Sequence, residues 1–375
     1  MAHSIPGNAA TAASVYTKYQ ACVFLPCTAT HPSASLPRLE NRNTLKRVGV
    51  MVGAIQISAN GGPEVLDFTQ LEVGDPGPGE VLIRHTAVGL NYIDVYFRTG
   101  LYPAPQMPFT PGMEAAGVVE AVGDGVTDLA VGDRVAYAAP PVGAYAEARL
   151  MRADRVVKVP AGVSDEEAAA MMLKGMTTEY LLRRTYRVKA GDTILFHAAA
   201  GGVGLIACQW AKQLGATVIG TVGSDEKAEL AMAHGCDHPV VYTRENLAER
   251  VRELTDGQGV PVVYDSVGKD TYSQSLDCLA PLGMMVSFGN ASGPAPAVNP
   301  GDLSAKGSLF FTRPTLMTYT AKRDDLVDCA NALFDVVGSG AVKIEVHQRF
   351  ALAEAAAAHI ALEARQTTGS TLLMP

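Results

Sequence analysis

Charged residues are scarce in this sequence, and neither sign is abundant enough to attract a polyanion. Only 18% of the 375 residues are Asp, Glu, Lys or Arg, and the 38 acidic residues outnumber the 30 basic ones. The net charge of −8 offers no basic field to DNA, RNA or an anionic membrane surface. We therefore expect no nucleic-acid partner and no membrane association, and an anionic ligand would require local positive charge.

Cysteine is also sparse. The six cysteines are scattered without a CxxC pair, which favours reduced thiols in the cytoplasm over a disulfide framework. No apolar run reaches the roughly 18 residues that a membrane-spanning helix needs. A catalytic zinc requires about three ligands from Cys, His, Asp or Glu, and the cysteines and histidines show no such spacing. The sequence predicts a cytoplasmic protein without a metal.

Residues 1–50 differ in composition from the rest of the chain. They are rich in Ala, Ser, Thr and Pro, contain one acidic residue against five basic ones, and show no periodic apolar pattern. A transit peptide is similarly basic, but it also forms an amphipathic helix. We interpret the segment as a disordered extension produced by an over-long start, with Met51 as the true beginning. A transit peptide is the alternative.

Short strands dominate residues 51–160. The stretch AIQISANGGPEVLDFTQLEV predicts two strands around a Gly-Gly-Pro turn, and GEVLIRHTAVGLN, AAGVVEAVGDGV and VGDRVAYA predict three more. Turns rich in Gly join these strands, as is typical of antiparallel sheets. At the other end of the chain, RDDLVDCANALFDVVGSG predicts a helix and GSTLLMP a strand. We expect this tail to pack back on the first domain.

Helices and strands alternate after residue 160. Ser164 is a candidate N-cap for a helix through SDEEAAAMMLKGMTTEYLLRRTY. The segments DTILFHAAA, TVIGTVG, PVVYDSVG and MMVSFGN then predict apolar strands, and two helices between them end at Gly215 and Gly235. This alternation predicts a parallel sheet covered on both faces. The length of the chain predicts two domains.

The segment FHAAAGGVGLIACQWAKQLGA carries a nucleotide-binding signature. Ala199, Gly201 and Gly204 have the A-x-G-x-x-G spacing between an apolar strand and a helix. The first small residue permits a tight turn, Gly201 lets the backbone approach a pyrophosphate, and Gly204 allows close packing of helix on strand. A glycine-rich turn without a ligand is the alternative, and the order of strand, loop and helix disfavours it.

The end of the next strand bears on the choice of cofactor. NAD sites place an acidic residue there to bind the ribose 2′-hydroxyl, whereas this strand ends in Gly223 and Ser224. Lys227 follows one turn later, and we expect Asp225 and Glu226 to begin a helix and point outward. The sequence therefore favours NADPH. The alternative for Lys227 is an ordinary surface lysine.

Taken together, these segments resemble the zinc-free quinone oxidoreductase branch, the zeta-crystallin-like enzymes, of the medium-chain dehydrogenase/reductase superfamily. The resemblance covers residues 51–375, and its carriers include GLNYIDVYFRTGLYP, PGMEAAGVVEAVGDGV, LKGMTTEYLL, HAAAGGVGLIACQWAK and VSFGNASG. It implies an α/β protein with a GroES-like, mostly-β catalytic domain over 51–172 and 317–375. The implied second domain, over 173–316, is a Rossmann domain with a doubly wound parallel sheet.

The resemblance also implies roles for individual residues. Where the zinc-dependent branch has a Cys ligand and Gly-His-Glu, this chain has Asn91 and Gly112-Met113-Glu114, in agreement with a metal-free site. The implied catalytic residues are Asn91, Tyr96 and Tyr102, with the two tyrosines lining the substrate pocket. The cofactor-binding residues are Thr177, Gly201, Gly202, Val203, Gly204, Ser224, Lys227, Tyr242, Phe288, Gly289, Arg313 and Ser370. Ordinary packing is the alternative for the tyrosines and for Phe288.

The activity that the resemblance implies is metal-free reduction of quinones by NADPH. An electron-poor acceptor suits a site without a Lewis acid, and we expect Asn91 and the tyrosine hydroxyls to hydrogen-bond the oxygen that gains charge. The alternatives are an enone or alkenal double-bond reductase and a non-catalytic NADPH-binding protein of the crystallin or RNA-binding kind. We also expect a homodimer, with VNPGDLSAKGSLFFTRP as the candidate edge strand and an interior strand as the alternative.

Overall fold

The computed structural model describes residues 49–104 and 106–375. The predictions made for residues 1–50 fall almost entirely outside these ranges, whereas Gly49–Pro375 packs as one unit. None of the described helices has the length and the apolar character needed to cross a membrane.

Two short strands open the described chain. β1 (Val50–Gln56) pairs antiparallel with β2 (Asp67–Val73), with Val50 opposite Val73 at one end of the register. A short 3-10 helix, Pro63–Val65, follows the two glycines between the strands. The predicted pair of strands around a Gly-Gly-Pro turn is confirmed.

A seven-stranded, mostly antiparallel sheet follows. Its members are β3 (Glu80–Leu90), β4 (Glu114–Val122), β5 (Arg134–Ala138), β6 (Ala148–Arg152), β7 (Val157–Lys158), β14 (Val346–Ala351) and β15 (Ser370–Met374). The order is β14–β15–β3–β4–β5–β7, and β6 also pairs with β3. Strand β15 is antiparallel to β3, with Thr371 opposite Leu90. The prediction that the tail packs on the first domain is confirmed.

A second sheet has six parallel strands. They are β8 (Thr193–Phe196), β9 (Thr217–Val222), β10 (His238–Val241), β11 (Val260–Asp265), β12 (Leu279–Ser287) and β13 (Phe310–Thr312). The order β10–β9–β8–β11–β12–β13 is that of a doubly wound Rossmann sheet. In such a sheet a ligand binds at the carboxyl ends of the strands where the order reverses, which here is between β8 and β11. The predicted parallel sheet is confirmed.

Helices connect the strands of both sheets. They are α1 (Tyr92–Thr99), α2 (Asp165–Tyr180), α3 (Gly202–Gln213), α4 (Asp225–Ala233), α5 (Leu247–Leu254), α6 (Tyr272–Asp277), α7 (Pro300–Ala305), α8 (Leu316–Tyr319), α9 (Arg323–Gly338) and α10 (Ala355–Glu363). Gly215 and Gly235 follow α3 and α4 with φ of 84° and 88°, a conformation that glycine adopts without strain. Both predicted helix ends are confirmed.

Helix α2 joins the two sheets. It begins at the predicted N-cap, because Ser164 Oγ accepts a hydrogen bond from the Glu167 amide and the Glu167 carboxylate accepts one from the Ser164 amide. Its far end passes into a π-helical turn, Leu181–Thr185. The helix contacts β3, β4 and β5 on one side and α3 and α9 on the other. The predicted boundary at residue 172 lies inside it, and the domain limits stay a prediction.

Gly89 allows α2 to lie directly on the first sheet. A Cβ atom at this position would overlap the carbonyl oxygen of Ala169 in α2 and the carboxylate of Glu114 in β4. The obstacle is helix backbone and a buried carboxylate, so no change of rotamer would relieve the overlap. Glycine is therefore required here by the close approach of helix and sheet.

Replacing Gly89 by alanine should destabilise the protein by about 1–3 kcal/mol, the usual range for overpacking a well-packed interior. The matched control is Gly162→Ala, because a Cβ at Gly162 meets no atom within 4 Å. Thermal denaturation of both variants measures the effect. A clear fall in Tm is expected for the first variant only, and equal Tm values would contradict the packing argument.

Candidate functional site

The glycine-rich loop lies at the carboxyl end of β8, beside the point where the strand order reverses. Ala198 begins the turn with a φ of 55°, and α3 starts at Gly202, so its first N–H groups have no acceptor within the helix. A Cβ at Gly204 would overlap the backbone of the turn, whereas one at Gly201 would meet only the Ala198 carbonyl oxygen, at 3.2 Å. The loop can therefore present N–H groups to an anion.

Buried polar side chains at the carboxyl ends of β8, β9 and β11, together with one from α6, hold this loop. His197 Nδ1 lies 3.1 Å from Thr221 Oγ1 and its Nε2 lies 3.0 Å from Ser275 Oγ, while the Ala198 amide donates to Thr221 Oγ1 at 3.2 Å. Ser275 donates in turn to Asp265 at 2.8 Å. Burial lowers the pKa of His197, which keeps the imidazole neutral at neutral pH. No local motif in the sequence indicates this network, because only the fold brings its members together.

Two cations meet beyond the end of β9. Lys227 Nζ donates to the carbonyl oxygen of Arg365 at 2.8 Å, and the Arg365 guanidinium lies 3.4 Å from Tyr242 Oη. Ser224 caps α4, and its Oγ accepts from the Lys227 amide at 3.4 Å. Burial and the charge of Arg365 lower the pKa of Lys227. In the described ranges neither cation has a carboxylate partner, so the cluster presents uncompensated positive charge.

The acidic residues next to this cluster lie outside it. Asp225 begins α4 and is exposed, and its carboxylate accepts from Arg244 at 2.7 Å. The expectation that Asp225 and Glu226 begin a helix is confirmed. Arg365 was not anticipated from the sequence, because it lies 138 residues after Lys227 and belongs to no local motif.

Tyr96 and Tyr102 lie where two parts of the molecule meet. One part surrounds the mostly antiparallel sheet (the first region), and the other surrounds the parallel sheet with the glycine-rich loop (the nucleotide-binding region). Their rings are 5.2 Å apart in an edge-on arrangement. Tyr96 Oη accepts a hydrogen bond from the Asn290 amide at 2.8 Å, which leaves its own proton to donate, and burial raises its pKa. Tyr102 Oη accepts from Arg313 at 3.3 Å. Two polar contacts thus tie the aromatic pair to Asn290 and Arg313, which follow β12 and β13 of the parallel sheet.

Asn91 faces a buried carboxylate. Its Nδ2 donates to Glu114 at 2.7 Å and to the Gly89 carbonyl oxygen at 3.3 Å. Glu114 also accepts from the Leu173 amide at 2.6 Å and from Lys174 Nζ at 3.2 Å. Because both N–H bonds of Asn91 are used, the donor role expected of it toward a substrate oxygen does not fit this geometry. The Glu114 carboxylate is a strong acceptor and binds the Asn91 amide N–H, so only Oδ1 of the Asn91 side chain is left to bind a ligand.

Thr177 and Ser370 are both buried. Thr177 is on α2, one turn beyond Lys174. The Ser370 hydroxyl donates to the carbonyl oxygen of Ala170 at 3.0 Å, so it fastens the last strand to α2. The cofactor-binding roles of both residues stay predictions.

Phe288 and Gly289 follow β12 at its carboxyl end. Phe288 is half-buried and packs on Phe196 of β8, with ring centroids 5.7 Å apart. A Cβ at Gly289 would overlap the carbonyl oxygen of Ser266, which explains the glycine by close approach of two backbones. Both residues therefore lie at the edge of the sheet where the glycine loop is found.

Buried polar groups run beneath α1. Asp94 accepts from the Asn91 amide at 2.9 Å and from Tyr145 Oη at 3.0 Å. Tyr145 Oη lies 3.0 Å from His359 Nε2, whose Nδ1 lies 3.0 Å from Arg98. Burial raises the pKa of Asp94 to about 7 and lowers that of His359 to about 3. The chain of contacts fixes the start of α1, where Asn91 lies.

Known proteins match this chain over most of its length. Residues 77–161 match the family model for the alcohol dehydrogenase GroES-like domain, and residues 202–339 match that for zinc-binding dehydrogenase. A quinone oxidoreductase of Pseudomonas aeruginosa is 58% identical over 325 residues, which is 87% of this chain and 100% of that protein. A 2-haloacrylate reductase of a Burkholderia species is 49% identical over 332 residues, 87% of this chain and 99% of that protein.

Solved structures agree with these matches. The structure of Escherichia coli quinone oxidoreductase complexed with NADPH has a TM-score of 0.85 and 49% sequence identity. It covers 86% of this chain and 100% of its own. The likeness therefore extends over both sheets.

The donor set does not fit the zinc that one family description names. Within 49–104 and 106–375, no three His, Cys, Asp or Glu side chains lie close enough together to hold a metal ion. Four cysteines in these ranges are buried free thiols: Cys208, Cys236, Cys278 and Cys329. Asn91 and Met113 occupy positions where the resemblance places zinc ligands in the zinc-dependent branch.

Asp94→Asn should change how stability depends on pH. The pKa of Asp94 is raised from 3.8 to about 7 by burial, against the opposing hydrogen bonds from Asn91 and Tyr145 and the nearby charge of Lys174, with Glu114 adding to the rise. The neutral acid therefore favours the fold at low pH, and this contribution is lost between about pH 4 and pH 7. Asparagine stays neutral throughout, so the variant should gain on the wild type as pH rises.

Urea denaturation of both proteins at pH 5 and pH 8 measures this effect. The midpoint of the variant minus that of the wild type should be more positive at pH 8 than at pH 5. Asp128→Asn, at an exposed aspartate, controls for the loss of one carboxylate. An equal difference at the two pH values would contradict the raised pKa.

Proposed function

This chain belongs to the quinone oxidoreductase branch of the medium-chain dehydrogenase/reductase superfamily, and from that premise we propose that it reduces quinones with NADPH. The observation that carries the proposal is the meeting of Lys227 and Arg365 beside Tyr242, without a carboxylate partner in the described ranges. The 2′-phosphate of NADPH would supply the missing negative charge and accept charge-assisted hydrogen bonds. The quinone oxidoreductases among the relatives, and the NADPH in the E. coli structure, support the same choice.

The residues of this chain fit NADPH in three places. We assign the pyrophosphate to Gly201, Gly202, Val203 and Gly204, the 2′-phosphate to Ser224, Lys227, Tyr242 and Arg365, and the nicotinamide end to Thr177, Phe288 and Gly289. The first assignment uses the N–H groups at the start of α3. We further propose that Arg313 and Ser370 contact the cofactor, as the resemblance implies. When bound, NADPH supplies the reducing equivalents.

The substrate lies, in this proposal, against the aromatic pair. Tyr96 and Tyr102 offer ring surface to a flat quinone, and the free O–H of Tyr96 can donate to an oxygen that gains charge. Asn91, whose N–H bonds are occupied, offers Oδ1 as an acceptor that orients a ligand N–H or O–H. These three residues bind and orient, while the reduced quinone can take protons from water.

Reduction of a conjugated carbon–carbon double bond is the second candidate. It is favoured by the 2-haloacrylate reductase, whose name specifies an unsaturated carboxylate and which is 49% identical to this chain. That reaction also requires a proton for the carbon next to the activating group. Arg313 donates to Tyr102 and is exposed, so its guanidinium can attract a carboxylate.

Assembly and location complete the proposal. We also propose that the protein forms a homodimer through β13. This strand is at the edge of the parallel sheet and carries the exposed side chain of Phe310. An exposed edge with unpaired backbone groups readily pairs with a second copy. A cytoplasmic location is supported by the four free thiols in the described ranges.

Lys227→Glu should shift cofactor preference from NADPH toward NADH. The substitution replaces a donor to the 2′-phosphate by a repelling carboxylate, and we expect roughly 100-fold weaker NADPH binding, as for loss of a hydrogen bond to a charged group plus repulsion. Fluorescence titration of NADPH and NADH gives both Kd values. Arg365→Met should weaken NADPH binding without improving NADH binding.

Lys189→Glu is the matched control for this pair. Lys189 is exposed near the amino end of β8, on the opposite edge of the sheet from the glycine loop, so its charge reversal should leave the NADPH Kd unchanged. An unchanged NADPH Kd in Lys227→Glu would remove Lys227 from the phosphate site.

A substrate panel separates the two candidate reactions. Anaerobic stopped-flow with NADPH should give a higher kcat/KM for para-quinones than for a simple enone or for 2-chloroacrylate, because a quinone needs no proton on carbon. The reverse order would favour the double-bond reductase. Absence of NADPH oxidation with every acceptor would overturn both.

A further inference from the structure

Lys174 is a buried cation that the roles assigned above do not use. It is only 6% exposed, and its ammonium lies 3.2 Å from Glu114. Its methylene groups pack on the glycine loop, since a Cβ at Gly202 would lie 2.7 Å from Lys174 Cδ and 3.0 Å from Cε. The side chain therefore runs from the proposed pyrophosphate site to the carboxylate that holds Asn91.

The ammonium of Lys174 has donors to spare. An ammonium carries three N–H bonds, and in the described ranges Glu114 is its one hydrogen-bond acceptor. That carboxylate oxygen is shared, because Asn91 Nδ2 donates to it at the shorter distance of 2.7 Å. Leaving N–H bonds of a buried cation unsatisfied is unfavourable, so a ligand or water is required to accept them.

The surroundings of Lys174 indicate which ligand atom this is. Thr177, proposed for the nicotinamide end, lies one turn further along the same helix, and Asn91, proposed to orient the substrate, lies across the shared carboxylate. The ammonium therefore lies between a residue proposed for the cofactor and one proposed for the substrate. At that end the substrate oxygen gains negative charge during reduction. Asn91 cannot donate to it, whereas Lys174 has N–H bonds free and carries a full positive charge.

We propose that Lys174 is a catalytic residue whose ammonium hydrogen-bonds the substrate oxygen that becomes negative during reduction. Glu114 is then a positioning residue, because it fixes both the ammonium and the Asn91 amide. The inference rests on the proposed function and names a donor for its charged product. A donor prepared in advance in a water-poor site stabilises developing charge strongly.

Binding of a phenolate provides a test that needs no turnover. The probe is 4-nitrophenolate, which resembles a reduced quinone oxygen in charge, and its methyl ether, 4-nitroanisole, is the neutral control. Both are titrated against the NADP⁺-loaded wild type and against Lys174→Gln, Lys174→Arg and Glu114→Gln. The double variant Glu114→Gln/Lys174→Met is included because removing one partner of a buried ion pair can prevent folding, whereas removing both is often tolerated.

The proposal expects loss of the charge preference wherever the ammonium is removed. Lys174→Gln and the double variant should bind the phenolate at least about tenfold more weakly and the ether equally well, and their kcat should fall roughly 100-fold, as on removal of one oxyanion donor. Lys174→Arg and Glu114→Gln, which keep a cation, should keep the preference for the phenolate. The NADPH Kd should stay within a few-fold in all four variants.

Two results would overturn the proposal. If the NADPH Kd rises by the same factor as kcat/KM falls, Lys174 binds the cofactor pyrophosphate instead. If phenolate and ether are affected alike, the ammonium does not contact the charged oxygen. Failure of the proposed function is recognised separately, because it would appear in the wild type as an absence of quinone turnover whatever the variants do.

Discussion

A single buried carboxylate, that of Glu114, organises the candidate site. It is fully buried, so its charge is tolerable only with hydrogen-bond donors around it, and it collects them from three places: the Asn91 amide before α1, the Leu173 backbone amide and the Lys174 ammonium in α2. Each donor arrives in a fixed direction. The start of α1, the middle of α2 and strand β4 are thereby held in one arrangement.

The orientation of Asn91 follows from that carboxylate. The carboxylate is the strongest acceptor within reach, so the side-chain amide of Asn91 turns its NH2 group toward it. The amide oxygen of Asn91 is then the atom left to contact a ligand. A side chain that resembles an obvious donor in the sequence is an acceptor in the structure. The donor for a charged substrate oxygen must then come from elsewhere, and within 49–104 and 106–375 the hydroxyl of Tyr96 and the ammonium of Lys174 have hydrogens left to donate.

Features that depend on neighbouring residues could be predicted from the sequence, whereas contacts between segments far apart in the chain could not. The capping box at Ser164, the helix ends at Gly215 and Gly235, and the close approach at Gly204 each depend on neighbouring residues, and each is found. The return of β15 to the first sheet was expected from the helix and strand pattern of the tail. Strand β10 was missed, because its four residues, HPVV, include a proline, which argues against a strand.

No sequence pattern indicates the contacts between segments that are far apart in the chain. Arg365 reaches Lys227 across 138 residues, and His197 meets Ser275 across 78. No spacing rule links such pairs, because the sheet order and the returning tail alone place them together. The glycine fingerprint located the phosphate loop, but not the second cation or the network behind the loop.

These distant contacts have a shared consequence for ligand binding. Tyr96 contacts Asn290, and Lys227 contacts Arg365, so both ends of the cleft are bridged by one residue from the first region and one from the nucleotide-binding region. In the proposed function, the 2′-phosphate of NADPH contacts the second pair and the substrate contacts Tyr96 of the first. Binding at either pair would then depend on the relative position of the two regions, and helix α2 bears on that position because it contacts β3, β4 and β5 as well as α3. Cofactor binding and the placement of the substrate would therefore both depend on the one arrangement of the two regions that these contacts and α2 hold.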